Sequence, residues 1–97
     1  MLTAKSYKNE ILMRLFNFFN RPKLYLTPDQ QFLEVSYQPQ SEKPLYDICD
    51  ESGRIIKTGK ITRDNMRVAV ADLFSSGYIF LILDGDEIRQ QRFKISR

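Results

Sequence analysis

Carboxylates are the side chains whose grouping in this sequence could most readily do chemistry. They form two short clusters, which are Asp47, Asp50 and Glu51, and then Asp84, Asp86 and Glu87. An acid/base pair needs a cleft and a substrate partner, and nothing near the first cluster indicates either. Calcium takes six to eight oxygen ligands, whereas a hairpin turn at the second cluster would offer two or three. We therefore interpret both clusters as turn residues and expect neither a metal nor another cofactor.

Histidine is absent from the 97 residues, and Cys49 is the single cysteine. Without histidine, no Ser-His or Cys-His nucleophile pair can form. One thiol can make neither an intrachain disulfide nor a zinc site of the usual Cys/His kind. No basic neighbour or helix start that would activate a thiol is evident beside Cys49. These facts predict a protein that is not an enzyme, with an incidental thiol.

Charge and hydrophobicity are those of a soluble globular protein, with 42% hydrophobic and 28% charged residues and a net charge of +3. The basic residues are mostly scattered singly, as on a solvated surface. A basic N-terminal arm with interleaved aromatic residues allows a second hypothesis, a cytoplasmic interaction or nucleic-acid-binding module. A small domain needs its aromatic residues inside, however, so we favour a protein partner over a nucleic acid. The sequence leaves the oligomeric state open.

Residues 1–22 are interpreted as an N-terminal arm or edge element that forms a strand or a short helix. The apolar stretch 11–19 is interrupted by Arg14 and is shorter than the roughly 20 residues that a membrane-spanning helix needs. It also lacks the small-residue cleavage site of a secretory signal. We expect a cytoplasmic protein if Met1 is the native start, and a secreted or periplasmic one if the chain is a mature or excised domain.

From residue 23 onward, apolar and polar residues alternate with a period of two, which is typical of half-buried strands. The pattern predicts strands over residues 23–27, 32–37, 45–49, 54–61, 67–71, 78–83 and 87–95. In the second strand, Leu33, Val35 and Tyr37 should share one side, and in the last strand Ile88, Phe93 and Ile95 should point inward. Six to seven short strands with frequent turns predict an all-β fold, an immunoglobulin-like antiparallel β-sandwich over residues 23–97.

Turn residues mark the predicted corners. Asp50 and Gly53 suit the first and last positions of a type I turn, with Arg54 starting the return strand. Gly59 is expected to form a bulge. Leu73 to Gly77 should make a tight corner before Tyr78, and Asp84-Gly85 should form a two-residue hairpin loop.

These corners, together with the end of the chain, carry a family resemblance. The stretches Ile48–Ile56, Val68–Val70, Leu73–Ile82 and Arg92–Ile95 resemble the C-terminal sorting domain of type IX secretion cargo in Bacteroidetes. They are also similar to a related group of standalone Bacteroidales secreted β-sandwich domains of unknown function. The resemblance covers about residues 45–97 and implies an immunoglobulin-like sandwich that acts by protein–protein interaction, as a sorting or accessory domain. It implies that Arg92, Phe93, Lys94 and Ile95 form a segment recognised by a protein partner such as the secretion machinery.

Overall fold

A computed structural model describes residues 23–97, so the expected N-terminal arm, residues 1–22, lies outside the described residues. The described part contains no helix and seven strands. These are β1 (Tyr25–Pro28), β2 (Phe32–Ser36), β3 (Leu45–Cys49), β4 (Ile55–Lys60), β5 (Asn65–Ala69), β6 (Ser76–Asp84) and β7 (Glu87–Ile95).

The strands form two antiparallel sheets, one with the order β1-β2-β5 and the other with the order β4-β3-β6-β7. This arrangement is an immunoglobulin-like β-sandwich, and it confirms the predicted fold class. β4 pairs with β3 rather than with β5, so the fourth strand belongs to the sheet that contains β6 and β7. That placement differs from the constant-type immunoglobulin order, in which the fourth strand lies in the other sheet.

The core lies between the sheets, because alternate side chains of each strand point inward. Its buried residues are Leu33, Val35, Tyr37, Ile48, Ile61, Val68, Val70, Leu73, Tyr78, Phe80, Ile82, Phe93 and Ile95. Leu33, Val35 and Tyr37 are all buried, which confirms that they share one side of the strand. Each fully buried Leu, Ile or Phe side chain contributes about 1.5–3 kcal/mol, so these residues supply the main stabilising term.

The inward orientation predicted for Ile88 is wrong, since its side chain is 63% exposed. Phe93 and Ile95 occupy odd positions of β7 and are buried. Ile88 occupies an even position, so on a regular strand it must point away from the core. Its apolar character is therefore displayed on the outer surface of the sheet.

The expected loop at Asp84-Gly85 is displaced by one residue. Asp84 is the last residue of β6 and pairs with Glu87, so Gly85 and Asp86 form the two-residue loop. Gly85 has a φ of +62°, and a glycine at the first central position is what a type II′ turn requires. Asp84 is not a loop residue and is buried.

The structural positions of two other glycines, Gly59 and Gly77, differ from those predicted. Gly59 pairs directly with Tyr46, and the irregularity between β3 and β4 lies instead at Ile48 and Cys49, where Ile56 is the extra residue. Gly77 pairs with Lys94 inside β6 rather than forming a corner. The corner precedes it, in residues 70–75, where the amide of Leu73 donates a hydrogen bond to the carbonyl of Val70 at 3.0 Å.

Candidate functional site

The turn between β3 and β4 is built around the Asp50 carboxylate. Its Oδ1 accepts hydrogen bonds from the amides of Ser52 and Arg54 and from the Ser52 hydroxyl, while Oδ2 accepts from Arg54 Nε at 3.0 Å. Gly53 has a φ of +87° and donates its amide to the carbonyl of Asp50. The Ser52 hydroxyl and the Arg54 amide are the main groups that lower the pKa of Asp50 to about 2. This carboxylate is therefore committed to holding the turn.

The remaining carboxylates of the first cluster do not converge on a common point with Asp50. Glu51 Oε1 accepts the amide of Gly77 at 3.2 Å, which links the turn to the start of β6. Burial raises the pKa of the nearby Cys49 thiol, and the carboxylates of Asp47 and Asp50 add to this effect. A thiol held in its protonated form is a weak nucleophile.

At the opposite end of the sandwich, Asp84 fastens the loop between β2 and β3. Its carboxylate accepts hydrogen bonds from the Tyr37 hydroxyl at 2.6 Å and from the amides of Gln40 and Ser41 at 2.8 Å. Burial raises the pKa of Asp84, but these donors outweigh it, so its pKa lies below the ordinary value. Burial and the Asp84 carboxylate raise the pKa of Tyr37. In residues 23–97, no three His, Cys, Asp or Glu side chains lie together as a metal site would require.

The corner before β6 is closed by Tyr78, whose hydroxyl donates to the carbonyl of Phe74 at 2.8 Å. A tyrosine that bonds back to the backbone a few residues upstream is a hallmark of immunoglobulin-like sandwiches. Arg97, which sequence reasoning did not single out, holds the same corner. Its guanidinium donates to the carbonyls of Leu73, Gln30 and Val70 at 2.7–2.8 Å. No local pattern indicated this role, because the three carbonyls come together only in the folded chain.

The segment Arg92–Ile95 presents two different faces. Phe93 and Ile95 are buried, and the Phe93 ring stacks on Tyr78 with 5.6 Å between ring centroids. Arg92 and Lys94 are exposed on the outer side of β7. A partner of the folded protein could therefore touch the two basic side chains of this segment but not its apolar ones.

The outer surface of the four-stranded sheet carries a continuous group of apolar side chains, which we call the apolar face. Its residues are Leu45, Cys49, Ile55, Ile79, Leu81, Leu83 and Ile88. Strand pairing arranges the central ones in rows across β3, β6 and β7. The first row is Leu45, Leu83 and Ile88, the second is Asp47, Leu81 and Gln90, and the third is Cys49, Ile79 and Arg92.

No described element packs over the apolar face, and some of its side chains reach far into solvent. Leu45 is 42% exposed and Ile55 is 59% exposed. Strand β6 is apolar on both sides, since Ile79, Leu81 and Leu83 alternate with core residues. The sequence alone could not distinguish the two faces of this strand, because that requires the strand order.

The outer surface of the three-stranded sheet is different in character. It carries Tyr25, Thr27, Glu34, Ser36, Asn65 and Arg67, which line a shallow depression. Glu34 and Arg67 are cross-strand neighbours and form an ion pair at 3.1 Å. Arg67 also lies over the Phe32 ring, 5.6 Å from its centroid. This polar surface is what a solvated sheet normally presents, so the asymmetry between the two sheets identifies the apolar face as the candidate site.

Comparison with known proteins supports the fold but does not identify a family. No protein-family model matches the chain, and no curated protein matches it. Among solved structures, the chain is similar to the rat CD45 extracellular region, domains d3–d4, with 16% sequence identity and a TM-score of 0.52. The match covers 76% of this chain and 51% of that chain, so this chain spans about half the length of that neighbour.

The resemblance to type IX sorting domains therefore rests on the quoted sequence stretches alone. One structural fact and one sequence fact bear on it. Residues 45–97 contain only part of the sandwich, because β1 and β2 precede them. In addition, three residues separate Leu73 from Gly77, with Tyr78 following directly. In the sorting domains that the sequence resembles, the pattern is a leucine, two residues, a glycine, one residue and a tyrosine, so the match at this corner is inexact.

Proposed function

We propose that this protein is a non-catalytic immunoglobulin-like module that binds another protein through the apolar face. The observation that carries this proposal is the row arrangement of Leu45, Leu83 and Ile88 beside Leu81 and Ile79 on three adjacent strands. Contiguous exposed apolar surface on a soluble domain is typical of interaction sites. Burying such side chains against a partner releases about 25 cal/mol per Å² of apolar area.

The state of the carboxylates supports a role in binding rather than in acid/base chemistry. Asp50 and Glu51 hold the turn between β3 and β4, and Asp84 holds the loop before β3. An acid or base that acts on a substrate must reach it with its own oxygen or proton. These oxygens instead face backbone amides and neighbouring side chains of the same chain.

Co-purification from cells that produce the protein tests the proposal, using variants of residues 1–97 that each carry one added lysine. Leu81→Lys places a charge at the centre of the apolar face, and Ser36→Lys places one on the polar outer surface of the other sheet. We expect a specific partner to be retained by the native chain and by Ser36→Lys but lost with Leu81→Lys. Equal retention by both variants, with both folded by circular dichroism, would contradict the proposal.

A finer proposal concerns export. The resemblance to sorting domains, together with the exposure of Arg92 and Lys94 on the edge strand β7, supports recognition by secretion machinery outside the cytoplasm. Within residues 23–97, no helix is long and apolar enough to cross a membrane. The export role and the location outside the cytoplasm are tested together.

The test uses the whole chain, because residues 45–97 lack β1 and β2. Residues 1–97 fused behind a periplasm-targeted reporter should carry it to the outside of a type IX-competent host. The double variant Arg92→Ala with Lys94→Ala should reduce this export, whereas Lys60→Ala on β4 should not. Retention of the native fusion in the periplasm would count against the sorting role and leave protein binding by the apolar face untouched.

A further inference from the structure

We infer that the apolar face binds a second copy of this chain, in a two-fold dimer whose symmetry axis runs parallel to β6. This inference rests on the proposed function and names the partner. It is argued from the register of β3, β6 and β7, which fixes the chemical group that each strand contributes to each row.

Two sheets that pack face to face lie about 10 Å apart with their strands roughly aligned. An axis that lies directly over β6 and parallel to it keeps each row at the same height along the strands. It puts β3 of one copy over β7 of the other. Leu45 then meets Ile88 of the second copy, and β6 meets itself through Ile79, Leu81 and Leu83. Apolar groups are thus buried against apolar groups.

The charged residues fit the same axis. Asp47 lies opposite Gln90 of the second copy, and Arg92 of that copy lies one row further along β7. Alternate residues of a strand are separated by about 6.7 Å, a distance that an arginine side chain can span. Each Asp47 therefore gains an amide and a guanidinium partner, and the two-fold axis makes both pairs at once.

Two other two-fold axes in the plane of the interface leave the Asp47 carboxylate without a partner of opposite charge. An axis across the strands would put Asp47 directly opposite Asp47 of the second copy. An axis between β3 and β6 would put Asp47 opposite Leu81, which leaves a carboxylate against hydrocarbon. Both arrangements desolvate a charge without pairing it and are costly. Compared with these two axes, charge complementarity favours the axis that lies directly over β6 and parallel to it.

The area of the apolar face determines how strongly two copies are expected to associate. Three strands and the nine-residue length of β6 and β7 give a flat footprint of roughly 15 by 30 Å, or about 450 Å². Specific protein interfaces commonly bury about 800 Å² per partner, so this dimer belongs to the weak class. We expect it to form over a concentration range from about 10 μM to about 1 mM.

Sedimentation equilibrium of the full chain over that range tests the inference through a charge exchange. Asp47→Arg should raise the dimer dissociation constant at least about tenfold, and Arg92→Asp should do the same, because like charges then meet across the axis. The double variant should return the constant to within about threefold of the native value. Glu34→Arg, on the outer surface of the other sheet, is the matched control and should leave it unchanged.

Thermal unfolding of each variant separates lost association from lost folding, and the restored double variant shows that the single variants failed through charge. A native chain that stays monomeric up to about 1 mM would overturn self-association. So would a double variant no better than the single variants. In either case, partner loss with Leu81→Lys in the co-purification would still support the proposed function and leave the face to a different protein.

Discussion

Asp84 is a buried carboxylate that accepts hydrogen bonds from Tyr37, Gln40 and Ser41, which lie 43 to 47 positions earlier in the chain. Burying a charge is costly unless it is hydrogen-bonded, so these donors are what make the position tolerable. One residue thereby joins the end of β6 to the loop that connects the two sheets. The same end of the molecule carries Leu45, Leu83 and Ile88, so this bond also steadies the first row of the apolar face.

Replacing either side-chain partner should destabilise the protein. We expect Asp84→Asn to cost about 1–3 kcal/mol, because an amide brings its own donor toward the Gln40 and Ser41 amides. Tyr37→Phe should cost about 1–2 kcal/mol through loss of the hydroxyl. Urea denaturation monitored by circular dichroism measures both values. The control is Tyr25→Phe, since the Tyr25 ring is exposed; an equal loss there would refute the assigned role.

Acid should also weaken the fold. The pKa of Asp50 is lowered to about 2, mainly by the Ser52 hydroxyl and the Arg54 amide. The pKa values of Asp29, Asp72 and Asp84 are also lowered. Folded carboxyls that resist protonation stabilise the native state fully above the ordinary value of 3.8, and this stability is lost as the pH falls toward about 2.

Melting temperatures measured between about pH 5 and pH 2 test this expectation. The native chain should become progressively less stable below about pH 4. Asp50→Asn should show a shallower slope, because one group that takes up a proton on unfolding has been removed. A native profile that stays flat over this interval would contradict the assignment.

At the scale of the elements, β4 is an edge strand that depends on one close approach. Gly59 lies opposite Tyr46, and a Cβ atom at Gly59 would lie 2.6 Å from the Tyr46 ring. The same ring stacks on Phe80 at 5.2 Å and cannot move outward without losing that contact. The glycine is therefore required for packing, and the bulge expected at Gly59 occurs instead at Ile56.

Gly59→Ala should lower the free energy of unfolding by about 1–3 kcal/mol, as overpacking of a filled site does. Gly77→Ala is the matched comparison. A Cβ atom there would meet the end of the Glu51 side chain, which can rotate away, so we expect a smaller loss. Chemical denaturation of the two variants gives the answer, and a Gly77→Ala variant that is the less stable of the two would refute the argument.

At the scale of the whole molecule, the two sheets divide the chain unevenly. β1 and β2 come from the first part of the described chain, and β5 joins them from between β4 and β6. The core residues Leu33 and Val35 belong to β2, and the core residue Tyr37 directly follows it. A domain drawn only around the stretches that resemble sorting domains would omit them.

We therefore expect residues 45–97 expressed alone to remain unfolded, because Ile48, Phe80 and Ile82 would lose the sheet that covers them. Far-ultraviolet circular dichroism and amide proton dispersion in NMR spectra measure this, with the full chain as the reference. A cooperative melting transition in the isolated fragment would contradict the prediction and strengthen the case for an independent sorting unit.

The alternation of apolar and polar residues predicted the strands and most of the core. A period of two, as at Leu33, Val35 and Tyr37, places all the apolar side chains on one side of a strand, where they can be buried. Local pattern was less reliable at strand ends. β5 begins at Asn65 and β6 at Ser76, both earlier than expected, because cross-strand partners extended the pairing. Asp84 was misplaced because the hairpin loop lies one residue later than expected. Ile88 was misplaced because it is out of phase with Phe93 and Ile95 on the same strand.

The sequence by itself determined the β-sandwich and the lack of histidine chemistry, because residue types and their period are local properties. Only the tertiary structure decided which strands are neighbours. That order brings Leu45, Leu83 and Ile88, from three strands, into one row, and it brings Arg97 to three carbonyls of distant residues. Alternation shows only that a side chain lies on one side of its strand; strand pairing is needed to show what lies beside it.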